Sequence, residues 1–410
     1  MENLRIDGTR LWDSLMDMAK IGATAKGGVC RLALTDLDRQ SRDLFVAWCE
    51  AAGCAVTWDA AGNIFARRPG RDPSRAPVMT GSHLDTQPTG GRFDGAYGVM
   101  AGLEVLRTLA EAGVETEAPV EVVCWTNEEG SRFAPAMMGS GAFTGRFPLD
   151  EVLAKTDTEG RRFDAELARI GYAGQGCGGR PVGAYFEAHI EQGPILEAEG
   201  RTIGIVTGAQ GQRWYEVTFT GQDAHAGPTP MARRRDALVG AARLVDAVNR
   251  IGHAFQPGAC ATVGMMQVRP NSRNVIPGQV WMTVDFRHPD DARLAEMDRT
   301  LREAATGIAE AAKLEVAIEQ ILHFPAIRFA ESCIGAVRSG AARAGLPSME
   351  IVSGAGHDAV YMADIAPSGM IFVPCADGIS HNEIESATPE DLAAGCQVLL
   401  NAILDAAGAR

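Results

Sequence analysis

The feature that most constrains the fold of this chain is a strand–helix–strand pattern in its first third. The segments "APVMTGSH" (76–83) and "VEVVCWTNEE" (120–129) are apolar for most of their length, as buried strands are. Between them, "YGVMAGLEVLRTLAEAG" (97–113) carries apolar residues at helical spacing, namely Val99, Leu103, Leu106 and Ala110. This βαβ unit predicts the α/β class, with a mixed, largely buried sheet flanked by helices.

A different pattern occupies the middle of the chain. The segment "RWYEVTFTG" (213–221) alternates like a half-exposed strand. Further strands are predicted in "ACATVGMMQV", "GQVWMTVDFR" and "LEVAIEQIL", and two helices in "RDALVGAARLVDAVNRI" and "ARLAEMDRTLREAATGIAEAA". Two helices on an antiparallel sheet form a small α+β domain.

Buried α/β patterning returns after this middle region. It is recognised in "MEIVSG", "SGMIFVP" and the closing helix "PEDLAAGCQVLLNAILDAAG". We therefore predict one discontinuous α/β domain, formed by residues 1–211 and 329–410. Residues 212–328 are predicted to form the small α+β domain inserted into it.

The net charge and the cysteine pattern of the chain limit which partners and which cellular compartment are expected. The 410 residues carry 38 Lys and Arg against 52 Asp and Glu, a formal net charge of −14 at pH 7. Nucleic acid and anionic membrane surfaces would be repelled at long range, so neither is an expected partner. Nine cysteines without a C-x-x-C pair favour reduced thiols in the cytoplasm. No signal peptide or membrane span is predicted.

The loop "GSHLDTQPTGGRFDGAYG" (81–98) follows a predicted strand and is rich in glycine. Such loops often hold phosphate, but this one matches neither G-x-x-x-x-G-K-[ST] nor G-x-G-x-x-G and contains no lysine. It carries His83, Asp85 and Asp94 instead. Its glycines would let the backbone turn tightly and bring His83 and Asp94 within reach of a metal ion. We therefore favour a metal site over a phosphate site.

Most of the eight histidines lie in Gly-, Asp- or Glu-rich segments at predicted strand ends or loops. They are His83, His189, His225, His357 and His381. A single histidine of this kind is usually structural, but five together favour a site. Acidic partners are Asp94 and the adjacent pair Glu128 and Glu129. Successive side chains of a strand point in different directions, so one glutamate can bind a metal while the other transfers protons.

These residues can form a centre for two divalent metal ions. If Asp94 bridges the ions, each receives three protein ligands from the set His83, Asp94, Glu129, His189 and His381. Imidazole and carboxylate ligands without thiolate suit Zn²⁺, Mn²⁺, Co²⁺ or Ni²⁺. Asp85 is two residues after His83 and can accept the second N–H of that imidazole, which would fix its tautomer.

Eight segments together resemble a known family. They are "GSHLDTQPTGGRFDG", "NEEGSRF", "HIEQGP", "HAGPTPM", "PNSRNVIPG", "DFRHPD", "SGAGHDA" and "GISHNEIE". In this order, from about residue 80 to 385, they are similar to the hydantoinase/carbamoylase-type amidases of the M20 metallopeptidase-like superfamily. That group includes N-carbamoyl-L-amino acid hydrolases, β-ureidopropionases and allantoate amidohydrolases. The resemblance implies the same two-metal site, bridged by Asp94, on the α/β domain.

The resemblance also implies roles for residues around the metals. Glu128 would be the general base that takes a proton from a metal-bridging water and returns it to the leaving nitrogen. Arg287 would clamp a substrate carboxylate, with neutral hydrogen bonds from Asn274 and Gln192 beside it. His225 would stabilise the oxyanion of the tetrahedral intermediate.

Further implications concern assembly and two local details. In relatives His225 and Asn274 reach across from the other subunit, so a homodimer through the middle domain is implied, with that domain also acting as a lid. His357, in "GAGHDA", either binds substrate or shapes its loop. Relatives also suggest a cis peptide between Asp94 and Gly95.

The resemblance implies hydrolysis of a C–N bond in a small carboxylate-bearing amide or ureido compound. The form "QPTGG" of the first loop is more similar to the carbamoyl-amino acid and β-ureidopropionate branch than to the allantoate branch. The leading hypothesis is therefore hydrolysis of an N-carbamoyl-L-amino acid, or of N-carbamoyl-β-alanine. The alternatives are an allantoate amidohydrolase, an M20-type peptidase or aminoacylase, and a non-catalytic binding dimer.

Overall fold

The computed structural model describes residues 4–409. The first part of the chain contains α1 (Gly8–Met18), α2 (Asp36–Ala51), β1 (Ala55–Trp58), β2 (Ile64–Arg68), β3 (Val78–His83), α3 (Ala96–Glu111), β4 (Val120–Trp125), α4 (Met138–Thr144), α5 (Leu149–Ala154), α6 (Phe163–Ile170), β5 (Ala184–Ile190), α7 (Ile195–Ala198) and β6 (Ile203–Ala209). The middle part contains β7 (Gly211–Thr220), β8 (Ala224–His225), α8 (Ala237–Ala254), β9 (Cys260–Thr262), β10 (Met266–Arg269), β11 (Val275–Ile276), β12 (Gln279–His288), α9 (Asp291–Ala312), β13 (Glu315–Phe324) and β14 (Ile327–Arg328). The last part contains α10 (Glu331–Ala344), β15 (Ser348–Ser353), α11 (Asp358–Met362), β16 (Ser368–Val373) and α12 (Pro389–Ala407).

The described residues divide into two compact units. Unit 1 comprises those up to Thr207 and those from Phe329 onward, and unit 2 comprises Gly208–Arg328. Unit 1 is therefore discontinuous in sequence, and unit 2 begins at residue 208, where the sequence had suggested 212. Each unit has its own sheet and its own buried core.

The sheet of unit 1 runs in the order β1-β2-β4-β3-β5-β16-β6, and β15 also pairs with β6. The four central strands β4, β3, β5 and β16 are parallel to their neighbours in this group. The strands β1, β2 and β6 pair in antiparallel fashion. Every residue of the four central strands is buried, which explains their almost continuous apolar sequences. The predicted mixed, largely buried sheet is confirmed.

Helix α3 connects the parallel strands β3 and β4, as the βαβ pattern predicted. It is buried on nearly all sides, because Val99, Leu103 and Leu106 are covered and so is the polar Glu104. Ala110, the fourth residue of the predicted apolar face, is exposed. Leu109 is buried in its place, so the covered face of the helix continues to two residues before its end.

The sheet of unit 2 is antiparallel, in the order β10-β12-β7-β13, with β9 also paired to β12. Burial alternates along the whole of β12, and the covered side chains pack with α8 and α9 in one core. The predicted α+β arrangement of two helices on an antiparallel sheet is confirmed. The segment "ACATVGMMQV" forms two short strands, β9 and β10, where one was expected, because residues 263–265 interrupt the ladder.

Polar side chains define where the long helices begin. The carboxylates of Asp236 and Asp290 accept backbone N–H groups in the first turns of α8 and α9, and Thr388 caps α12, which starts with Pro389. Within residues 4–409, none of the helices is at once long and apolar enough for a membrane crossing.

Candidate metal centre

The predicted metal ligands gather at one edge of the unit 1 sheet. His83 is the last residue of β3, and His189 is one residue from the end of β5. Glu129 follows β4, and His381 lies in the loop after β16. Because these four strands are parallel neighbours, their carboxyl ends meet at the same edge. Asp94 joins the cluster from the loop that precedes α3.

Asp94 lies at the centre of the cluster. Its Oδ1 is 3.2 Å from Nε2 of His189 and 3.9 Å from Nε2 of His83. Its Oδ2 is 3.1 Å from Nε2 of His381, which is also 3.4 Å from Oε2 of Glu129. Two sets of three side chains result, His83–Asp94–His189 and Asp94–Glu129–His381, with the ligand atoms of each set within 4.8 Å of one another. Asp94 belongs to both sets, as a bridging ligand would.

Two of the imidazoles are oriented as metal-binding imidazoles are. Nδ1 of His83 lies 2.8 Å from the backbone oxygen of Asp85, and Nδ1 of His189 lies 2.9 Å from that of Ile190. A carbonyl oxygen can only accept, so each Nδ1 carries a proton, and in the neutral, metal-binding form of the ring each Nε2 presents a lone pair. A lone pair that faces a carboxylate oxygen is repelled unless positive charge lies between them. This donor set therefore fits divalent metal ions.

Burial and mutual charge shift the pKa values of the cluster. The hydrogen bond with Asp94 raises the pKa of His381 to about 9. Burial opposes a charge on His189, but the same carboxylate raises its pKa to about 9. Burial lowers the pKa of His83 to about 4, and burial together with the charge of Asp94 raises the pKa of Glu129 to about 8. The cluster thus attracts positive charge, which protons or metal ions can supply.

Glu128 and Glu129 point to different parts of the cluster, as predicted, but a turn separates them and not strand alternation. The strand β4 ends before the pair, and Asn127 adopts the left-handed conformation with a φ of 56°. Gln87 clamps Glu129, since its backbone N–H and its side-chain amide donate to the two carboxylate oxygens at 3.0 and 2.7 Å. The Glu128 carboxylate lies 3.4 Å from Nε2 of His83 and has no comparable clamp among the described residues.

Asp85 does not orient His83 through its side chain, contrary to the prediction. Its Oδ1 lies 3.9 Å from Nδ1 of His83, too far for a hydrogen bond, and its backbone oxygen accepts that N–H. The carboxylate accepts the backbone N–H groups of Glu128 and Glu129 instead, each at 3.2 Å. Burial raises the pKa of Asp85 to about 7. Asp85 therefore shapes the turn that presents the two glutamates.

The glycine-rich loop serves mainly to leave space for the ligands. Gly90 and Gly91, between His83 and Asp94, do not adopt a positive φ, so the expected tight turn does not depend on them. Gly95 has a φ of 64°, and a Cβ there would lie 2.3 Å from Cε1 of His83. The expected cis peptide between Asp94 and Gly95 is wrong, because in residues 4–409 every cis bond precedes a proline.

Two predicted substrate residues of unit 1 contact the candidate ligands. Nε2 of Gln192 donates to Oδ2 of Asp94 at 3.0 Å. His357 is buried, its Nε2 lies 3.1 Å from Oγ of Ser353, and its ring centroid is 4.5 Å from that of His189. Both side chains therefore adjoin the cluster.

The other predicted substrate residues belong to unit 2. His225 ends β8, and Asn274 directly precedes β11, which pairs with β8. The backbone oxygen of Asn274 accepts the N–H of Ala226 at 2.8 Å. The side chains of His225 and Asn274 are both exposed. Arg287 lies on β12, in the larger sheet, where its guanidinium pairs with Asp285 at 3.0 Å. The structure thus brings His225 and Asn274 together and places Arg287 on another sheet of the same unit.

Three residues of the cluster were not predicted from the sequence. Gln87 holds Glu129, as described above. Oγ of Ser380 lies 3.2 Å from Oδ2 of Asp94 and 2.7 Å from Oε2 of the buried Glu385. All three lie inside the motif segments "QPTGG" and "GISHNEIE". Their position within these motifs was the only sign in the sequence that they belong to the site. Their contacts could not be predicted, because the residues they contact are distant in sequence.

The fold and the two overlapping donor sets define a class, namely α/β chains with an inserted α+β unit and a candidate centre for metal ions. The chain belongs to peptidase family M20/M25/M40, whose model matches residues 79–405. Enzymes of this family are metal-dependent, and all the candidate ligands lie within the matched span.

Comparison with individual proteins shows which members of this family the chain is more similar to. It is 49% identical over 407 residues to an N-carbamoyl-L-amino-acid amidohydrolase of Rhizobium meliloti, with 99% of this chain and 98% of that protein covered. A crystal structure of an amidase of the hydantoinase/carbamoylase family from Burkholderia multivorans matches with 65% identity and a TM-score of 0.95 over 98% of each chain. An allantoate amidohydrolase of Bacillus subtilis is more distant, at 33% over 385 residues and 93% of each chain. The predicted resemblance is confirmed.

Proposed function

We propose that this protein hydrolyses the carbamoyl C–N bond of N-carbamoyl-L-amino acids, which yields the amino acid, carbon dioxide and ammonia. The observation that carries the proposal is the pair of ligand sets that share Asp94, with Glu128 beside them. The chain that holds this cluster is 49% identical to an N-carbamoyl-L-amino-acid amidohydrolase along nearly its whole length. N-carbamoyl-β-alanine is a second candidate substrate for the same chemistry.

Two divalent ions would complete the centre. One would be held by His83, Asp94 and His189, and the other by Asp94, Glu129 and His381. Zn²⁺, Mn²⁺, Co²⁺ and Ni²⁺ all suit these donors. When bound, such ions lower the pKa of water and polarise a substrate carbonyl.

Glu128 is the residue that would move the protons. Gln87 fixes the Glu129 carboxylate, whereas the Glu128 carboxylate is free to accept a proton from water and pass it to the leaving nitrogen. It lies 3.4 Å from Nε2 of His83, next to the first ligand set. Burial and the charges of Asp358 and Glu129 raise the pKa of Glu128 well above its ordinary value. A carboxyl in this environment holds a transferred proton readily.

The remaining polar residues would bind and orient the substrate. The planar fork of Arg287 suits a carboxylate, which would compete with Asp285 for the guanidinium. Asn274 and Gln192 would add neutral hydrogen bonds, and His225 would stabilise charge that develops on the carbonyl oxygen. His357, packed against a ligand ring, would bind substrate or fix the loop.

Assembly as a homodimer through unit 2 is part of the proposal. The exposed His225 and Asn274 would serve the active site of the partner, and unit 2 would close as a lid over the substrate. The cytoplasm remains the predicted compartment. An engineered monomer with full activity would contradict the dimeric site.

The test uses the metal-loaded protein with a panel of substrates. Ammonia release is measured with N-carbamoyl-L-amino acids, their D-enantiomers, N-carbamoyl-β-alanine and allantoate. We expect the highest kcat/KM with an N-carbamoyl-L-amino acid. Turnover of allantoate without turnover of any carbamoyl compound would replace the proposal by the allantoate alternative, which the Bacillus subtilis relative supports.

Dipeptides and N-acyl amino acids in the same assay test the peptidase and aminoacylase alternative. Metal analysis of gently purified protein tests the non-catalytic alternative. About two ions per chain are expected for the proposed enzyme, and a metal-free, inactive protein would support a binding dimer.

A further inference from the structure

Glu385 connects the two chain segments that meet at the candidate metal centre. It is 1% exposed and lies in the loop before α12. Its Oε1 accepts the backbone N–H groups of Phe93 and Asp94 at 2.9 and 3.1 Å. Its Oε2 accepts the hydroxyl of Ser380, the residue before His381, at 2.7 Å. One carboxylate thus joins segments that are 292 positions apart in the chain.

The loop leaves a space for this carboxylate at Gly91. A Cβ at Gly91 would lie 2.0 Å from Cδ of Glu385. The φ of Gly91 is not in the left-handed region, so an alanine would be tolerated by the backbone. The obstacle to a larger residue is the carboxylate itself.

A negative charge on Glu385 is energetically unfavourable, because the side chain is buried next to Asp94. A carboxylate buried beside Asp94 repels it, and two N–H groups and a hydroxyl offset only part of the loss of solvent. A neutral glutamine could accept the same N–H groups without this repulsion. A negative charge in this position is favourable when a cation occupies the centre.

We propose that Glu385 is a positioning residue of the metal centre. It holds the backbone of Asp94 against the segment that carries Ser380 and His381, and its charge strengthens the binding of the metal ions. It acts through these neighbours and is not itself a metal ligand. The inference rests on the proposed two-metal function and names a further residue on which that function depends.

The first test is the variant Glu385→Gln, which keeps the size of the side chain and removes the charge. Its affinity for Zn²⁺ is measured by competition with a chromophoric chelator. We expect an affinity about 10- to 100-fold lower than that of the wild type, the usual effect of losing a partner of a metal ligand. Turnover at limiting Zn²⁺ should fall in parallel and recover largely when Zn²⁺ is added in excess.

Glu104→Gln is the matched control. Glu104 is also a fully buried glutamate of unit 1. It accepts the backbone N–H of Asp7 at 2.9 Å, the hydroxyl of Thr108 at 3.0 Å and the guanidinium of Arg10 at 2.7 Å. It belongs to neither ligand set. This variant should lower the thermal stability and leave the Zn²⁺ affinity of the folded protein unchanged.

Gly91→Ala is an independent variant that displaces the Glu385 carboxylate without altering it. It should also weaken Zn²⁺ binding, and it provides the readout if Glu385→Gln does not fold. Wild-type Zn²⁺ affinity in a folded Glu385→Gln or Gly91→Ala protein would overturn the inference, and so would an equal loss in Glu104→Gln. A wild-type protein that neither binds Zn²⁺ nor hydrolyses any carbamoyl compound would instead contradict the proposed function.

Discussion

The two units hold their predicted functional residues in opposite ways. In unit 1, His83, Asp94 and His189 are buried, and each contacts a backbone group or another side chain of the cluster. In unit 2, His225 and Asn274 are exposed at the ends of a two-stranded ladder. Except for His381, which is half exposed, the candidate ligands are therefore organised by the core of their own unit, whereas His225 and Asn274 lie at a surface.

This difference has an energetic consequence. Buried charges interact strongly because little water screens them, so the cluster in unit 1 depends on its full set of partners. Exposed groups are solvated and contribute little to stability, so they remain available for a ligand. Changes in unit 1 should therefore alter metal content or catalysis, whereas changes in unit 2 should alter substrate binding or, at His225, turnover, and should leave the metal content unchanged.

Removal of metal should have the largest effect. Dialysis against a chelator is expected to abolish ammonia release, because the cluster then holds repelling carboxylates and no ion to polarise the substrate. Activity should return when Zn²⁺ or Mn²⁺ is added back. Calorimetry should also show that removal of the metal lowers the unfolding temperature of unit 1 and leaves that of unit 2 unchanged. Full turnover by protein shown to be metal-free would contradict the role of the unit 1 cluster as a metal centre.

Glu128→Gln should have the next largest effect. Loss of the proton carrier is expected to lower kcat by about 10²-fold or more, while metal content stays at the wild-type value. Glu129→Gln is the control, because it removes a candidate ligand and should lower metal content. Metal content and kcat are measured on the same preparations. Equal metal loss in both variants would contradict the proposed roles of Glu128 as proton carrier and Glu129 as metal ligand.

Arg287→Gln tests the substrate side of the comparison. Loss of a charge-assisted pair with a substrate carboxylate is expected to raise KM by about 10- to 100-fold. Thermal stability should fall only slightly, because the ion pair with Asp285 that is lost is partly exposed to solvent. A carbamoylated amine that lacks the carboxylate serves as the control substrate, and its poor turnover should be the same in variant and wild type. A large loss of metal in Arg287→Gln would contradict the separation of roles.

Asp85→Asn should have the smallest effect of the four. The asparagine keeps one oxygen for the backbone N–H groups of Glu128 and Glu129 but loses the charge that strengthens these bonds. We expect kcat/KM to fall about 10-fold, with both metals retained. His83 should keep its orientation, because a backbone oxygen accepts its N–H. Loss of metal bound at His83 would restore the original interpretation of Asp85 as the partner of that ring.

The ligand cluster was accessible from sequence because its geometry follows from topology. Once the segments that end at His83 and Glu129 are assigned to the parallel strands of one βαβ unit, their carboxyl ends must lie at one edge. The clamp of Gln87 on Glu129 was not accessible. It depends on a side-chain rotamer and on a turn at Asn127, and neither has a signature in the apolar pattern.

The sequence by itself determined the α/β class, the inserted α+β unit and the polar residues that follow the buried strands, because apolar periodicity and strand ends are local properties. Only the tertiary structure decided how those residues are held. The carboxylate of Asp85 accepts from the backbone of the glutamate pair and not from His83 as predicted. The carboxylate of Glu385 accepts the backbone N–H of Asp94, which is 291 positions away in the chain. Such contacts depend on the packing of distant segments against one another, which no local pattern encodes.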